Sequence, residues 1–157
     1  MDKSQLASLI ERYEEAQFIV TRRVNAAIRE RMPEDLTLDQ YAVIRYMRKR
    51  DRSTSTEIAD VFCVGKSSVT AIINRLHDKG LIERFPDEKD RRVTSLRLTD
   101  EGRRLGDAME DRIQELLSGY LQHFDVKEAF AFIELFEKLA HLLMERMGPE
   151  REEGGNE

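Results

Sequence analysis

A mainly α-helical fold carrying one small β-hairpin is predicted by three features of this sequence. Apolar residues recur at three- and four-residue steps through both ends of the chain. Thr-x-x-Gln and Thr-x-x-Glu helix-start signals punctuate the middle. Only residues 81–98 break the helical period, alternating on either side of a polar tip. A chain of 157 residues with 40% apolar content can build one sizeable core but not two, so one domain with long appendages is expected. Charged residues at 36% and the absence of tryptophan fit a soluble helical protein with extended, solvated surfaces. No apolar run reaches the length of about 18 residues that a membrane span needs, and Met1-Asp2-Lys3-Ser4-Gln5 lacks the layout of a secretory signal. A cytoplasmic protein with no membrane partner is the expectation. The single Cys63 excludes an internal disulfide.

The elements follow in order. Leu6, Leu9, Ile10, Tyr13, Ala16, Val20, Val24, Ala27 and Ile28 form one buried stripe of a first helix that is expected to end at Pro33. Thr37-Leu38-Asp39-Gln40 is a capping box, in which hydroxyl and amide satisfy orphan backbone donors, and it opens a second helix burying Tyr41, Val43, Ile44 and Met47. Thr54-Ser55-Thr56-Glu57 opens a short helix through Ile58, Ala59, Val61 and Phe62. A further helix runs from about Lys66 to Lys79 and meets Gly80, which tolerates the left-handed conformation of a helix C-terminus. Leu81 to Phe85 and Val93 to Leu98 then read as the hairpin, with Pro86-Asp87-Glu88-Lys89-Asp90 at its tip. Thr99 caps a long helix carrying Leu105, Met109, Ile113, Leu116, Leu117 and Tyr120, with Asp100 and Glu101 favoured by the dipole of its first turn. Asp125-Val126-Lys127-Glu128 starts a last helix whose apolar residues spread beyond one face, so it must be covered on two sides.

A short helix, a turn at Phe62 to Gly65 and a longer helix make a helix-turn-helix, and the hairpin directly after it makes a wing. The fold class is therefore mainly α with a small β wing: a winged helix-turn-helix DNA-binding module over 33–99, flanked by an N-terminal dimerisation helix over 1–32 and C-terminal dimerisation helices over 100–147, with a disordered acidic tail over 148–157. Charge is divided along the same lines. Residues 1–40 carry 6 basic and 8 acidic side chains, residues 41–99 carry 13 and 8, and residues 100–157 carry 7 and 15. A basic module between acidic ends suits a partner rich in phosphate, double-stranded DNA. In the longer helix, Val69, Ile72, Ile73 and Leu76 share the core face, which turns Lys66, Ser67, Thr70, Ala71 and Asn74 outward. Small hydroxyls and one amide let a helix approach a major groove closely, and asparagine can pair with an adenine edge, whereas an ordinary surface helix carries glutamates and paired charges. Thr56, Ser68 and Arg75 complete this part of the candidate set.

These residues resemble the MarR (multiple-antibiotic-resistance regulator) family of dimeric winged-helix transcription factors. The matching stretches are Leu36-Thr37-Leu38-Asp39-Gln40-Tyr41, Ser67-Ser68-Val69-Thr70, Arg75-Leu76 through Lys79-Gly80-Leu81-Ile82-Glu83-Arg84, and Asp87 through Asp90-Arg91-Arg92 to Leu98-Thr99-Asp100-Glu101-Gly102. The resemblance implies a triangular homodimer whose first and last two helices interlock, and it implies repression. It adds Arg91 and Arg92 of the wing to the candidate DNA contacts, Arg92 in the minor groove with Asp90 steadying it or the hairpin. A narrow minor groove does attract arginine through its enhanced negative potential. The sequence departs from common family patterns at Gly65 and Ala71, which bears on base preference.

Other readings are weaker. Gly65-Lys66-Ser67 is like the end of a phosphate-binding loop, but Asp60 stands where that motif needs glycine and no strand precedes it. His77, His123, His141 and Cys63 provide no pair at helical ligand spacing, so no metal or other cofactor is expected. No nucleophile has a base beside it in the pattern, so an enzyme is not expected. A helical dimeric adaptor that uses the winged module to bind protein is the alternative. Family members often bind small aromatic or amphipathic effectors between the dimer helices and the winged module, and others sense oxidants through cysteine. The hydroperoxide-sensing kind carries that cysteine in the first helix, where this chain has none, and the urate-responsive kind uses a tryptophan, also absent. Cys63 is expected to be a small buried apolar residue.

Overall fold

A computed structural model describes residues 2–87, 90 and 92–146. The expected disordered tail over 148–157 lies outside them. Among the described residues, six helices and three strands follow in the order α1 (Lys3–Arg29), α2 (Leu38–Arg48), β1 (Ser53–Thr54), α3 (Ser55–Phe62), α4 (Lys66–Asp78), β2 (Ile82–Pro86), β3 (Thr94–Leu98), α5 (Asp100–Leu121) and α6 (Val126–Arg146). No described helix is long and apolar enough to cross a membrane.

The helix starts are chemical. Thr37 and Gln40, Thr54 and Glu57, and Asp125 and Glu128 each form both bonds of a capping box, and Asp2 with Gln5 forms another at α1. The last α-helical residue of α1 is Arg29. Met32 and Arg31 then bond back three residues to Arg29 and Ile28, tightening the chain ahead of Pro33. At α5 the Thr99 hydroxyl accepts from the Gly102 amide at 3.0 Å and donates to the Gly80 carbonyl at 2.7 Å, so one side chain ties the end of α4, the exit of the wing and the start of α5. Gly102 is required there, because a Cβ would stand 2.0 Å from the Leu81 carbonyl oxygen.

The sheet has a third strand that the sequence pattern did not disclose. Its order is β1-β3-β2, antiparallel throughout, with Ser53 opposite Leu96 and Thr54 opposite Ser95, and with Ile82 opposite Leu98 and Arg84 opposite Leu96. The β1 strand is two residues long, too short to show alternation, and it exists because β3 offers a free edge.

Two compact units divide the chain after Leu116. In the first, Val43, Ile44 and Met47 of α2, Ile58 of α3, Val69, Ile73 and Leu76 of α4, Ile82 and Leu96 of the sheet and Met109 and Ile113 of α5 are almost wholly buried. Each contributes on the order of 1.5–3 kcal/mol of burial free energy. Ile72 is only half-buried, and Val61 is 57% exposed, since α3 turns just two residues, Ile58 and Ala59, fully inward. By contrast α1 buries no residue, and the second unit leaves Phe130, Phe132, Leu135, Phe136, Leu142 and Leu143 of α6 exposed.

Cys63 corrects an expectation: it is exposed, not a buried apolar residue. It takes φ 51°, the positive-φ position that ends α3, where the Val64 amide bonds the Ala59 carbonyl and the Cys63 amide the Asp60 carbonyl. Gly80 ends α4 by the same pair of bonds, from Leu81 to Leu76 and from Gly80 to His77, at φ 69°. Such a turn tucks the backbone in and throws the side chain out. The left-handed backbone costs a β-carbon residue about 1 kcal/mol that glycine avoids. Cys63→Gly is therefore expected to raise stability by about 1 kcal/mol and Gly80→Ala to lower it by a similar amount, measured as opposite shifts of the urea midpoint at unchanged slope.

Candidate nucleic-acid interface

The outward face of α4 is set by what its inward face must bury. Val69, Ile73 and Leu76 point into the core, and Ser67, Ala71, Asn74 and Asp78 lie on the opposite side, with Lys66, Thr70, Ser68 and Arg75 flanking them, all exposed. Thr56 is exposed on α3. The α4 start has no side-chain cap, because Gly65 occupies that position, so its first amides stay open toward whatever approaches. The Thr70 hydroxyl donates to the Lys66 carbonyl at 2.8 Å, which leaves an oxygen acceptor and a methyl on the surface. Asn74 accepts a hydrogen bond at Oδ1 from Nη2 of Arg84, across from β2.

The wing is organised by aspartates. Asp87 accepts from the Asp90 amide at 3.2 Å and from the Ser95 hydroxyl at 3.0 Å, and Arg52 approaches it at 3.7 Å from the loop before β1. Asp90 accepts from the Arg92 amide, and its two oxygens take Nε and Nη2 of Arg92 at 3.1 and 3.3 Å. Hydrogen bonds from the Arg92 side chain, then from its backbone, hold the Asp90 carboxyl below the usual carboxylate range. An exposed pair of this kind adds little stability. Its effect is orientation, since Asp90 holds both the backbone amide and the guanidinium of Arg92 while that side chain stays 92% exposed. Arg91 lies outside the described residues.

Thus Lys66, Ser67, Ser68, Thr70, Asn74 and Arg75 come together on one helix, Thr56 stands on the helix before it, and Arg92 with Asp90 stands on the wing. The sequence pattern missed Arg84, Arg52, Asp87 and Ser95, which brace the candidates from elsewhere in the chain. An aspartate directly after the proline that opens the hairpin tip is the available signal for Asp87.

Two other features of the first unit matter. A crevice of about 720 Å³ between α1 and α2 is lined by Asn25, Ile28, Arg29, Leu36, Tyr41 and Arg45 among others. The buried Tyr41 hydroxyl has no hydrogen-bond partner among the described residues, and burial raises its pKa. Beneath the crevice, Arg45 pairs with Glu110 of α5 at 3.4 Å, while Arg48 reaches both Asp107 and Glu110. No group of three His, Cys, Asp or Glu among the described residues is placed to hold a metal ion.

Comparison with known proteins agrees with this geometry. The family model described as MarR matches residues 36–94. The transcriptional regulator BilQ of Clostridioides difficile is 31% identical over 111 residues, 70% of either chain. The solved YusO protein of Bacillus subtilis is 30% identical over 90% of this chain and 99% of its own, with a TM-score of 0.61. Streptococcus pneumoniae FabT, solved in complex with DNA, shares the fold at 22% identity and a TM-score of 0.76, over 87% of this chain and 98% of its own.

The bonds at the wing tip carry an expectation of their own. Asp90→Ala is expected to speed hydrogen exchange at the Arg92 amide, whose acceptor is lost, and to leave the Leu96 amide in the sheet unchanged; equal acceleration at both would mean that Asp90 supports the whole sheet.

Proposed function

The chain belongs to the MarR family of transcriptional regulators, and from that premise we propose that it works as a homodimeric repressor that reads an inverted-repeat operator in double-stranded DNA and is released by a small-molecule effector. The observation that carries the proposal is the pairing of an acid-poor, hydroxyl- and amide-bearing α4 face with an exposed wing arginine whose guanidinium is held by Asp90. The first suits the donor and acceptor code of a major groove. The second suits the negative potential of the minor groove beside it.

Dimerisation is supported by the apolar faces of α1 and α6, which one chain leaves in water. Leu6, Leu9, Ile10, Tyr13 and Phe18 on α1, with Phe130, Phe132 and Phe136 on α6, are each 45–66% exposed. Contiguous apolar surface of that kind marks an interface. The dimerisation segments are then 1–32 and 100–147, on either side of the module at 33–99. Two recognition helices related by a two-fold axis read symmetric sequence. The effector site is the crevice between α1 and α2, where apolar walls, two arginines and the unpartnered Tyr41 hydroxyl suit a small amphipathic molecule.

Two experiments test the proposal. Selection from random DNA is expected to return an inverted repeat with half-sites about one helical turn, roughly 10 base pairs, apart. Direct repeats alone would count against a two-fold reader. Titrations of variants against specific and scrambled duplexes at several salt concentrations separate the two groups of residues. Arg92→Ala is expected to weaken binding to most sequences and to lower the salt slope by about one unit. Asn74→Ala is expected to cost on the order of 1–3 kcal/mol at the preferred site and much less on random DNA. If neither duplex is bound, or binding is indifferent to salt, the winged module serves a protein partner instead.

A further inference from the structure

We infer that Arg84 is a positioning residue for base reading: it holds the Asn74 amide of α4 in one of its two orientations and so sets which base pair that asparagine prefers. The inference rests on the reading above, in which α4 enters a major groove. Arg84 stands opposite Leu96 in the β2–β3 register, on the same side of the strand as Ile82 and Pro86. Ile82 and Leu96 are buried on that side, so Arg84 starts from the sheet face turned toward the core and α4. Its guanidinium reaches the surface and donates from Nη2 to Oδ1 of Asn74. The neighbouring carboxylate does not draw it away, since Glu83 projects from the other face and is held by Arg97 at 2.6 Å, itself stacked over Phe85.

A guanidinium has only donors, and Oδ1 is the only acceptor of an asparagine amide, so the contact exists in one amide orientation and not in the flipped one. With Oδ1 turned toward the wing, the N–H groups of Nδ2 lead away from it. A flipped amide would exchange donor for acceptor, and base edges are told apart by that order: N7, O6 and O4 accept, whereas the exocyclic amines of adenine and cytosine donate. An amide free to flip tolerates both kinds of edge, and a braced one rejects an edge that opposes it with the wrong group. The second lone pair of Oδ1 remains open to an adenine amine beside N7, so adenine pairing survives the brace. Thr70, one turn earlier, has its own polarity fixed by its bond to the Lys66 carbonyl, so two adjacent readers present a set pattern. Both Arg84 and Asn74 are exposed, and the bond between them adds little stability. Its consequence is selectivity.

The test is a double-mutant cycle on the full-length protein, with Arg84→Ala, Asn74→Ala and the double variant, titrated against the selected operator and against duplexes changed at each single base pair, at several salt concentrations. Arg84→Ala is expected to lower preference by about tenfold at the base pair that Asn74→Ala also relaxes, and nowhere else. The double variant is expected to be no less selective than Asn74→Ala alone. In the DNA-free protein, the Asn74 side-chain N–H signals are expected to shift in Arg84→Ala. Uniform loss on every duplex, a salt slope lower by about one unit and additivity with Asn74→Ala would instead make Arg84 a phosphate anchor and overturn the inference. If Asn74→Ala left every base preference unchanged, the reading of α4 as the base-contacting helix would fail, and this inference with it.

Discussion

Burial of one stripe of α4 is the constraint from which the rest of the interface follows. Val69, Ile73 and Leu76 are held between α2, the sheet and the remainder of the core with 1% exposure or less. A helix anchored along one stripe cannot rotate, because turning by one residue would put Thr70, Asn74 or His77 into the core and cost several kcal/mol per buried polar group. The faces of Ser67, Ala71 and Asn74 are thus fixed by residues that never meet a ligand. The same core places β2, which leaves α4 through the Lys79-Gly80 turn, close enough for Arg84 to reach back to Asn74.

A module that reads phosphate-rich DNA would be expected to shed carboxylates, yet this one keeps eight over residues 41–99 and engages several of them locally. Glu57 closes a capping box, Glu83 faces Arg97, Asp87 gathers the hairpin and Asp90 grips Arg92. Glu57 fixes the start of α3 and the other three order the wing at short range, where they have hydrogen-bond partners. At longer range Glu83, Asp87 and Asp90 are offset by the arginines beside them. What remains outward is the excess of basic groups over residues 41–99. Net charge therefore describes the surface less well than the question of which charges are already engaged.

This division also explains what the sequence could disclose. Capping boxes at Thr37, Thr54 and Asp125 are local, so four consecutive residues reveal them, and the core stripe of α4 shows in its period. The β1 strand, the Arg52–Asp87 approach and the Arg84–Asn74 bond join residues 10 to 43 positions apart, where no periodicity applies. Cys63 was misread for a different reason. Its burial was inferred from residue type, whereas its backbone position, the left-handed end of α3, decides where the side chain goes. Val61 stays exposed because an eight-residue helix offers its core fewer than three turns.

The two ends of the chain connect this local order to the whole assembly. α1 has an apolar stripe of helical period but buries none of it, and α6 exposes aromatic residues around much of its circumference. Apart from the contact of the α1 C-terminal turns with α2, these helices bury little of their apolar surface within one chain, and in proteins most helical stability comes from packing such a face against another surface. If that surface is a second copy, folding of the ends and pairing of the modules are one event, and the spacing of the two α4 helices is set by the same contacts that make α1 and α6 stable. The crevice lies on this load path, since α1 forms one wall and α2, whose far face packs on the core with α4, forms the other. Under the proposed regulation, a molecule wedged there would act on the angle between α1 and the module rather than on α4 itself. Because the α4 core is tightly filled, the proposed release of DNA would move the module as a body rather than remodel its reading face.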